Sequence, residues 1–287
     1  STFAAGAWAA GTNINTARSA VESASAGSNT AALCFGGEIE SPGISALNES
    51  YDGSSWTEVA DLNTARKLGG STGTQTAALL ATGDTAGSPR NVTNCEKWDG
   101  SSWTEVGDVN TERRFVPGAG SNTAAIIMGG TPYPPVVAIA ELWNGTSWTE
   151  VADLNTARYG AGGAGTSTAA ITAGGTPPVK ANAEQWNGTS WTEVADLNSG
   201  RYSGLGASGI STSVIIFGGH ISAKSALTEK YDGVSWTELA DLSTARSDLG
   251  GAGTSSPEGI AFAGTTGSDS NATEAFTTGQ NVEIITD

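Results

Sequence analysis

An eleven-residue block recurs along this chain at a nearly constant interval and constrains the fold more than any other feature. It reads WTEVADLNTAR at residues 56–66 and again at 148–158, and close copies begin at Trp103, Trp191 and Trp236. A degenerate copy, WAAGTNINTAR, occupies residues 8–18, so that successive tryptophans lie 48, 47, 45, 43 and 45 residues apart. A repeat of this length indicates copies of one supersecondary unit, arranged as a stack or a ring.

Each repeat reads as four short strands, which we call a, b, c and d. In the copy at 156–197 a Gly-rich stretch (YGAGGAGTS) precedes an apolar run that ends in two glycines (TAAITAGG), followed by AEQW and WTEV. Short apolar runs bounded by glycine are typical of buried strands. An Asn-Gly or Asp-Gly dipeptide, the strongest short hairpin signal, separates strands c and d. The aromatic residues on both sides of this turn are expected to pack edge to face.

Four strands in every period of 43–48 residues favour the blades of a β-propeller. Six a–b units are present, but seven c–d-like units, of which the first lies at residues 3–8 and the last at 276–282. We therefore predict one all-β domain, a six-bladed propeller of four-stranded antiparallel blades, with a seven-bladed ring as the alternative. The last blade would be closed by both termini, leaving residues 280–287 as a tail or edge strand. The predicted domain covers 1–287, with blades near 16–62, 64–109, 111–154, 156–197, 199–242, and 244–280 plus 3–12.

The residues repeated in every copy have two interpretations. The Asp of the ADLN segment could form a ring of carboxylates that binds cations or sugars. Alternatively, the Asp caps its loop and the Arg five residues later pairs with a carboxylate of the same or the next blade. Because a residue needed in all copies is more often part of the frame, we favour the structural interpretation, and we extend it to the repeated Glu of strand c. The predicted structural residues are Trp8, Trp56, Trp103, Trp148, Trp191, Trp236, Arg18, Arg66, Arg113, Arg158, Arg201 and Arg246.

Composition argues against several classes of function. The net charge of −16, with 13 scattered basic residues, opposes binding to nucleic acid or to anionic membranes. Cys34 and Cys95 are predicted to be inert thiols, with a disulfide bridge as the alternative. One histidine, His220, supplies neither a zinc site nor a His-paired nucleophile. We therefore expect no catalytic residues, metal or cofactor. Paired carboxylates of a carbohydrate-active enzyme are the remaining catalytic alternative.

The chain also lacks an apolar run long enough to span a bilayer, and its first residues do not resemble a signal peptide. We therefore expect no membrane insertion.

The repeat resembles the kelch family. The pattern of that family runs through Gly36-Gly37, Glu49, Tyr51-Asp52, Trp56 and Arg66, and recurs around the chain. The sequence of the repeat is similar to the repeats of kelch-like proteins of marine bacteriophages and uncultured marine microbes. This resemblance implies a propeller that acts by binding, and a virion or extracellular location if the chain comes from a phage; otherwise we expect it in the cytoplasm.

The positions at which the copies differ indicate where a ligand-binding site would lie. The b–c loops and the residue after the repeated Arg differ from blade to blade, and both emerge on the same face of a propeller. Aromatic and basic residues there would form a ligand patch on an otherwise acidic body. We expect a protein or a glycan on a host surface, or other virion proteins, as partner; a structural role through the sides or termini of the propeller is the alternative. The candidate ligand-binding residues are Lys67, Arg90, Arg114, Tyr133, Tyr159, Lys180, Tyr202, His220 and Lys224.

Overall fold

The protein is a six-bladed β-propeller, each blade being a four-stranded antiparallel sheet. The computed structural model describes residues 6–40, 43–254 and 258–277. Within these ranges the chain forms strands, turns and loops but no helix, and hence no helix able to cross a membrane. The expectation for residues 280–287, a tail or an edge strand, lies outside the described residues.

Among the described residues, 24 of the 26 strands form the six blades and the other two form a small hairpin in the first b–c loop. The strands of blades 1–5 follow one another in chain order, whereas blade 6 combines the last three strands with the first. Blade 1 contains β2 (Glu22–Ser23), β3 (Ala32–Phe35), β6 (Asn48–Tyr51) and β7 (Trp56–Val59), and the hairpin is β4 (Glu38–Ile39) with β5 (Gly43–Ile44). Blade 2 contains β8 (Gly70–Thr74), β9 (Ala77–Ala81), β10 (Cys95–Trp98) and β11 (Trp103–Val106). Blade 3 contains β12 (Gly118–Gly120), β13 (Ala125–Met128), β14 (Ala140–Trp143) and β15 (Trp148–Val151).

The remaining blades have the same order. Blade 4 contains β16 (Gly162–Thr166), β17 (Ala169–Ala173), β18 (Ala183–Trp186) and β19 (Trp191–Val194). Blade 5 contains β20 (Gly206–Ile210), β21 (Ser213–Phe217), β22 (Thr228–Tyr231) and β23 (Trp236–Glu238). Blade 6 contains β24 (Gly250–Ala252), β25 (Gly259–Phe262), β26 (Thr273–Thr277) and, as its strand d, β1 (Ala7–Ala10).

The ring closes in blade 6 by pairing the two ends of the chain, as the repeat count predicts. Strand β1 runs antiparallel to β26, with Trp8 opposite Phe276. The Nε1–H of Trp8 also donates to Oγ1 of Thr228 in blade 5, at 3.0 Å. This pairing supplies the fourth strand of blade 6 and covers the edge of β26 that would otherwise be exposed.

The Gly-rich strands a line the axis, where they contact one another from blade to blade. A Cβ on Gly118 would lie 2.6 Å from the carbonyl oxygen of Ser71, and one on Gly251 would lie 2.7 Å from the ring of Phe217. Both distances are too short for real atoms, so the close approach at the centre requires glycine at these positions.

The hydrophobic core is divided into six clusters, and each cluster lies between two successive blades. The strand-d tryptophan of one blade packs on strand b of the blade before it, as Trp103 does on Phe35 with ring centroids 4.9 Å apart. The aromatic pairs that flank the c–d turns of blades 1–5, such as Trp186 and Trp191, are tilted at 32–39° rather than edge to face. Direct pairing across the strands holds the two rings side by side, which disfavours the perpendicular arrangement.

The repeated Arg, Glu and Asn form a buried link between blades. In blade 4, Nη2 of Arg158 donates to Oε1 of Glu184 at 2.6 Å, and both side chains are almost completely buried. The other carboxylate oxygen of Glu184 accepts hydrogen bonds from the backbone N–H and the side-chain amide of Asn155, in the loop that leaves blade 3. The same Asn amide reaches the carbonyl of Trp191. The equivalent ion pairs are Arg18–Glu49, Arg66–Glu96, Arg113–Glu141, Arg201–Glu229 and Arg246–Glu274.

Candidate functional site

One face of the propeller, which we call the loop face, carries the b–c loops and the linkers that lead from strand d to the next strand a. In every blade the residue after the repeated Arg bridges to the residue after the strand-b turn, as Tyr159 does to Thr176 and Tyr202 to His220. The Tyr159–Thr176 pair exchanges both backbone hydrogen bonds, each 3.1 Å long. The variable side chains of the linkers are therefore held on a fixed backbone.

The residues two positions after the repeated Arg form a ring of backbone hydrogen bonds around the axis. Five inter-blade N–H···O bonds of 2.6–3.1 Å connect them, and φ at this position is 51–72° in all six blades. Residues other than glycine rarely adopt this conformation, so the ring rather than the residue type selects it. The ring residues are Ala20, Leu68, Phe115, Gly160, Ser203 and Asp248.

Glu22 lies beside the one step of this ring, between Ala20 and Leu68, at which the described residues form no such bond. Its carboxylate accepts from the backbone N–H of Gly69 at 2.6 Å and from Oγ of Ser71 at 3.2 Å. Burial in the wall of the central channel, a cavity of about 100 Å³, raises the pKa of Glu22 to about 8. The carboxyl group of Glu22 therefore contacts blade 2 beside the step at which the described residues form no ring bond.

A second cavity, of about 350 Å³, opens on the loop face and is lined mainly by aromatic residues and prolines. We call it the aromatic cleft. It lies where the linkers into blades 3, 4 and 5 meet the b–c loops of blades 3 and 4. The ring centroids of Phe115 and Tyr159 are 5.3 Å apart, and Tyr133 is 74 % exposed at the rim. The lining residues are Arg114, Phe115, Thr131, Tyr133, Pro134, Val136, Tyr159, Pro177, Tyr202 and Ser203.

Arg114 is the one charged side chain in this lining, and neighbouring groups fix its orientation. Its Nη1 donates to Oδ2 of Asp84 at 2.6 Å, and its guanidinium carbon lies 5.3 Å from the ring centroid of Tyr133 and 5.7 Å from that of Phe115. Asp84 also accepts from Nε of Arg90 at 2.8 Å. Burial alone would raise the pKa of Asp84, but hydrogen bonds from the Ala86 N–H and from both guanidinium groups outweigh it and lower that pKa.

The other predicted site residues lie around the aromatic cleft rather than in it. His220 packs edge-on against Tyr202, with centroids 5.4 Å apart, and bridges to Lys224 through the backbone. Lys67 forms an ion pair with Glu38. Lys180 lies in the b–c loop of blade 4, where its carbonyl accepts from the N–H of Arg201. Of the nine candidates, the cleft therefore brings together four: Arg114, Tyr133, Tyr159 and Tyr202.

The repeated acids and the cysteines lie away from the loop-face cleft and have partners or burial of their own. Oδ1 of Asp61 and of Asp241 each accepts a strand-c backbone N–H at 3.2 Å, as expected of a loop cap. Cys34 and Cys95 are free and buried, and burial raises the pKa of each thiol to about 12. Among residues 6–40, 43–254 and 258–277, no group of three or more His, Cys, Asp and Glu is arranged to hold a metal ion.

Sequence reasoning missed Phe115, Asp84 and the prolines of the cleft. Phe115 could have been found, because it is the one aromatic residue at the second position after the repeated Arg. Asp84 is 30 residues from Arg114, and nothing in its local spacing indicates their contact. Pro134 and Pro177 lie in loops of different length, so only the folded ring shows that both reach the cleft.

Comparison with known sequences adds no further identification: no protein-family model and no curated protein matches this chain.

Proposed function

We propose that this propeller is a non-catalytic binding module that holds its ligand in the aromatic cleft of the loop face. The observation that carries the proposal is the convergence of Arg114, Tyr133, Tyr159 and Tyr202 in one cavity of about 350 Å³. They come from three linkers and one loop, at positions where the repeats differ. A volume of this size lies within the range of roughly 300–1,000 Å³ that small-molecule sites occupy.

The contrast between frame and loops supports this assignment. The repeated residues are engaged in blade-to-blade contacts, so they are not free to recognise a partner. The linker residues are held by paired backbone hydrogen bonds and by the ring around the axis. A preorganised cleft binds with a smaller loss of conformational entropy than a mobile loop does.

The lining of the cleft supports a non-catalytic role. Glycoside hydrolysis ordinarily needs two carboxyl groups on either side of the scissile bond. The residues that line the aromatic cleft include no Asp or Glu, and Asp84, which contacts the lining residue Arg114, is already paired with two guanidinium groups. A carbohydrate-active enzyme is therefore the weaker candidate.

A glycan array and a host-surface pull-down test the binding proposal. The informative variant combines Tyr159→Ala with Tyr202→Ala, and the matched control is Val234→Ala, at a c–d turn on the opposite face where the side chain is 79 % exposed. We expect the wild-type protein and the control to retain the same partner and the double variant to lose it. Equal capture by all three proteins, or capture by none, would reject the proposal.

The kelch-like pattern and its resemblance to marine phage proteins support a setting in the virion, as a tail or surface component that contacts the host. Mass spectrometry of purified particles from the source tests this setting. We expect the chain at stoichiometric copy number in particles. Its presence only as free protein in cells would contradict a virion role and would leave the binding proposal to the experiment above.

A further inference from the structure

The basic residues of this acidic chain are unevenly placed. Six of its 13 Lys and Arg residues are the repeated arginines, each paired with a strand-c glutamate inside the frame. Of the other seven, only Lys97 and Lys230 lie in strands. The remaining five lie in the loops and linkers of the loop face: Lys67, Arg90, Arg114, Lys180 and Lys224.

Three of the six b–c loops on the loop face carry no carboxylate in their sequence. We call them the acid-free sector: the b–c loops of blades 3, 4 and 5 contain Lys180 and Lys224 but no Asp or Glu, whereas the linkers into these blades carry Asp108, Glu112, Asp153 and Asp196. The b–c loops of the other three blades contain Glu38, Glu40, Asp84 and Asp269 among their described residues. The aromatic cleft opens beside the acid-free sector, and its lining includes Arg114 but no Asp or Glu. On a body with a net charge of −16, a cleft with a cationic lining is where an anion is attracted.

Arg114 offers a fixed donor to such an anion. The residue is 8 % exposed, and one carboxylate, that of Asp84, serves both Arg114 and Arg90, so a positive charge is left over. Nε of Arg114 is buried with no hydrogen-bond partner in the described residues. Nη2 makes no hydrogen bond to them either, and it is not sealed from solvent. A guanidinium group held in this way can donate a charge-assisted hydrogen bond from Nη2 to an oxygen of a carboxylate or a sulfate.

The aromatic rings of the cleft form a surface on which a sugar ring can stack. Phe115, Tyr159 and Tyr202 supply apolar surfaces, against which the C–H face of a pyranose ring can pack. The hydroxyl groups of the cleft tyrosines hydrogen-bond to none of the described residues, and they can meet the hydroxyl rim of a sugar. A few polar groups in a mainly apolar cavity are typical of a small-ligand site.

An extended peptide fits this cleft less well. Peptides that bind by strand addition need free backbone N–H and C=O groups on the receptor. The linker backbones at Arg114, Tyr159 and Tyr202 already exchange both hydrogen bonds with their own b–c loops, at 2.7–3.1 Å. Recognition in the cleft is therefore left to side chains.

We propose that the aromatic cleft binds an acidic saccharide, with its carboxylate or sulfate on Arg114 and a sugar ring against Tyr159 and Phe115. This inference rests on the proposed function and names the class of its ligand. Both anionic groups present the same oxygen chemistry to a guanidinium, and the probes below distinguish them. Because part of the attraction is electrostatic, we also expect binding to weaken as salt is raised.

Titration calorimetry tests the proposal with four probes: oligogalacturonate, a sulfated galactan oligosaccharide, a neutral galactan oligosaccharide of equal length, and a hexaglutamate peptide. We expect at least one anionic saccharide to bind about tenfold or more tightly than the neutral one, which corresponds to about 1.4 kcal/mol and is roughly the contribution of one charge-assisted hydrogen bond to Arg114. Arg114→Lys keeps the charge but loses the planar fork, and we expect it to lose most of that preference. Arg114→Gln should bind acidic and neutral saccharides equally.

Two further variants keep the test decisive if substitution of Arg114 impairs folding. Tyr133→Ala removes a ring that is 74 % exposed and packs over the guanidinium, so it is expected to weaken both saccharides, and the acidic one more. Lys224→Gln removes a charge of the acid-free sector and is expected to weaken the acidic probe and leave the neutral one unchanged. Equal affinity for neutral and acidic saccharides, or preference for hexaglutamate, would overturn this inference and leave the proposed function in place. No binding of any probe, together with no capture from a host surface, would reject both.

Discussion

Replacement of Glu184 by alanine should destabilise the protein by about 5 kcal/mol or more, because this carboxylate is the centre of a buried inter-blade link. The change leaves the guanidinium of Arg158 without a counter-ion in a site where neither side chain is more than 2 % exposed. Burial already lowers the pKa of Arg158, and Glu184 is the main group that opposes this effect. Removing one partner of such a pair typically costs about 3–5 kcal/mol.

The same substitution removes the acceptor of three further hydrogen bonds. Glu184 accepts the Asn155 N–H at 2.7 Å, the Asn155 side-chain amide at 2.9 Å and the Thr156 N–H at 3.2 Å. Each lost bond adds roughly 1 kcal/mol. The total is a large fraction of the roughly 5–15 kcal/mol that stabilises a typical domain.

Urea unfolding followed by tryptophan fluorescence measures this effect, with Glu150→Ala as the matched control. Glu150 is an exposed strand-d residue, and its replacement should change stability by less than about 0.5 kcal/mol. The double variant Arg158→Met, Glu184→Leu removes both charges and should be less destabilised than Glu184→Ala alone. A Glu184→Ala protein within about 1 kcal/mol of wild type, or a double variant less stable than the single one, would refute this reasoning.

Three further predictions concern other parts of the frame. The pKa of Glu22 is raised from 4.5 to about 8 on folding, so the native state binds the extra proton and stability should fall as pH rises from about 4.5 to about 8, on the order of 5 kcal/mol in all. Urea titrations should find that Glu22→Gln lacks this fall, and a wild type that also lacks it would contradict the assignment. Cys34 and Cys95, whose thiol pKa values burial raises to about 12, should react with a thiol reagent at pH 8 only after urea is added, and rapid labelling of the native protein would count against their burial. Gly165 has φ of +112° in the a–b turn of blade 4, and an added Cβ would meet the carbonyl of Ala169; Gly165→Ala should therefore lower the urea midpoint, whereas Gly87→Ala, in an open loop, should leave it unchanged within error.

The repeat made the propeller framework predictable because the same pattern of strands and turns occurs in successive copies. A single WTEV segment is a weak strand signal, but its recurrence with an Asn-Gly or Asp-Gly turn fixes the strand number, and the extra c–d unit predicts that Trp8 meets Phe276. The repeat pattern alone leaves open whether each repeated Arg pairs with a carboxylate of the same blade or of the next one. The structure shows that each repeated Arg pairs with a Glu of its own blade. The same Glu also accepts hydrogen bonds from the loop that precedes this Arg, as Glu184 does from Asn155. That second contact joins residues about thirty positions apart, which local patterns do not reveal.

The candidate site was predictable only in its location. Propeller topology brings the linkers and b–c loops to one face, and this places Arg114, Tyr133, Tyr159 and Tyr202 close together. Which charged residues of the loop face pair with one another depends on the folded ring. Asp84 reaches Arg114 and Arg90 from a loop of blade 2, whereas Lys67 is occupied by Glu38. The ring of backbone hydrogen bonds left no sequence signal, since residues as different as Ala20, Phe115 and Asp248 adopt it.

Hydroxyl-radical footprinting with mass spectrometry, with and without the saccharide probe that binds best, tests most directly the claim that the ligand lies in the aromatic cleft. The account predicts protection of Tyr133, Tyr159 and Tyr202, while Ile210 and Val234, which are exposed at turns of the opposite face, keep their reactivity. Protection of Ile210 and Val234, with the three tyrosines unchanged, would contradict it.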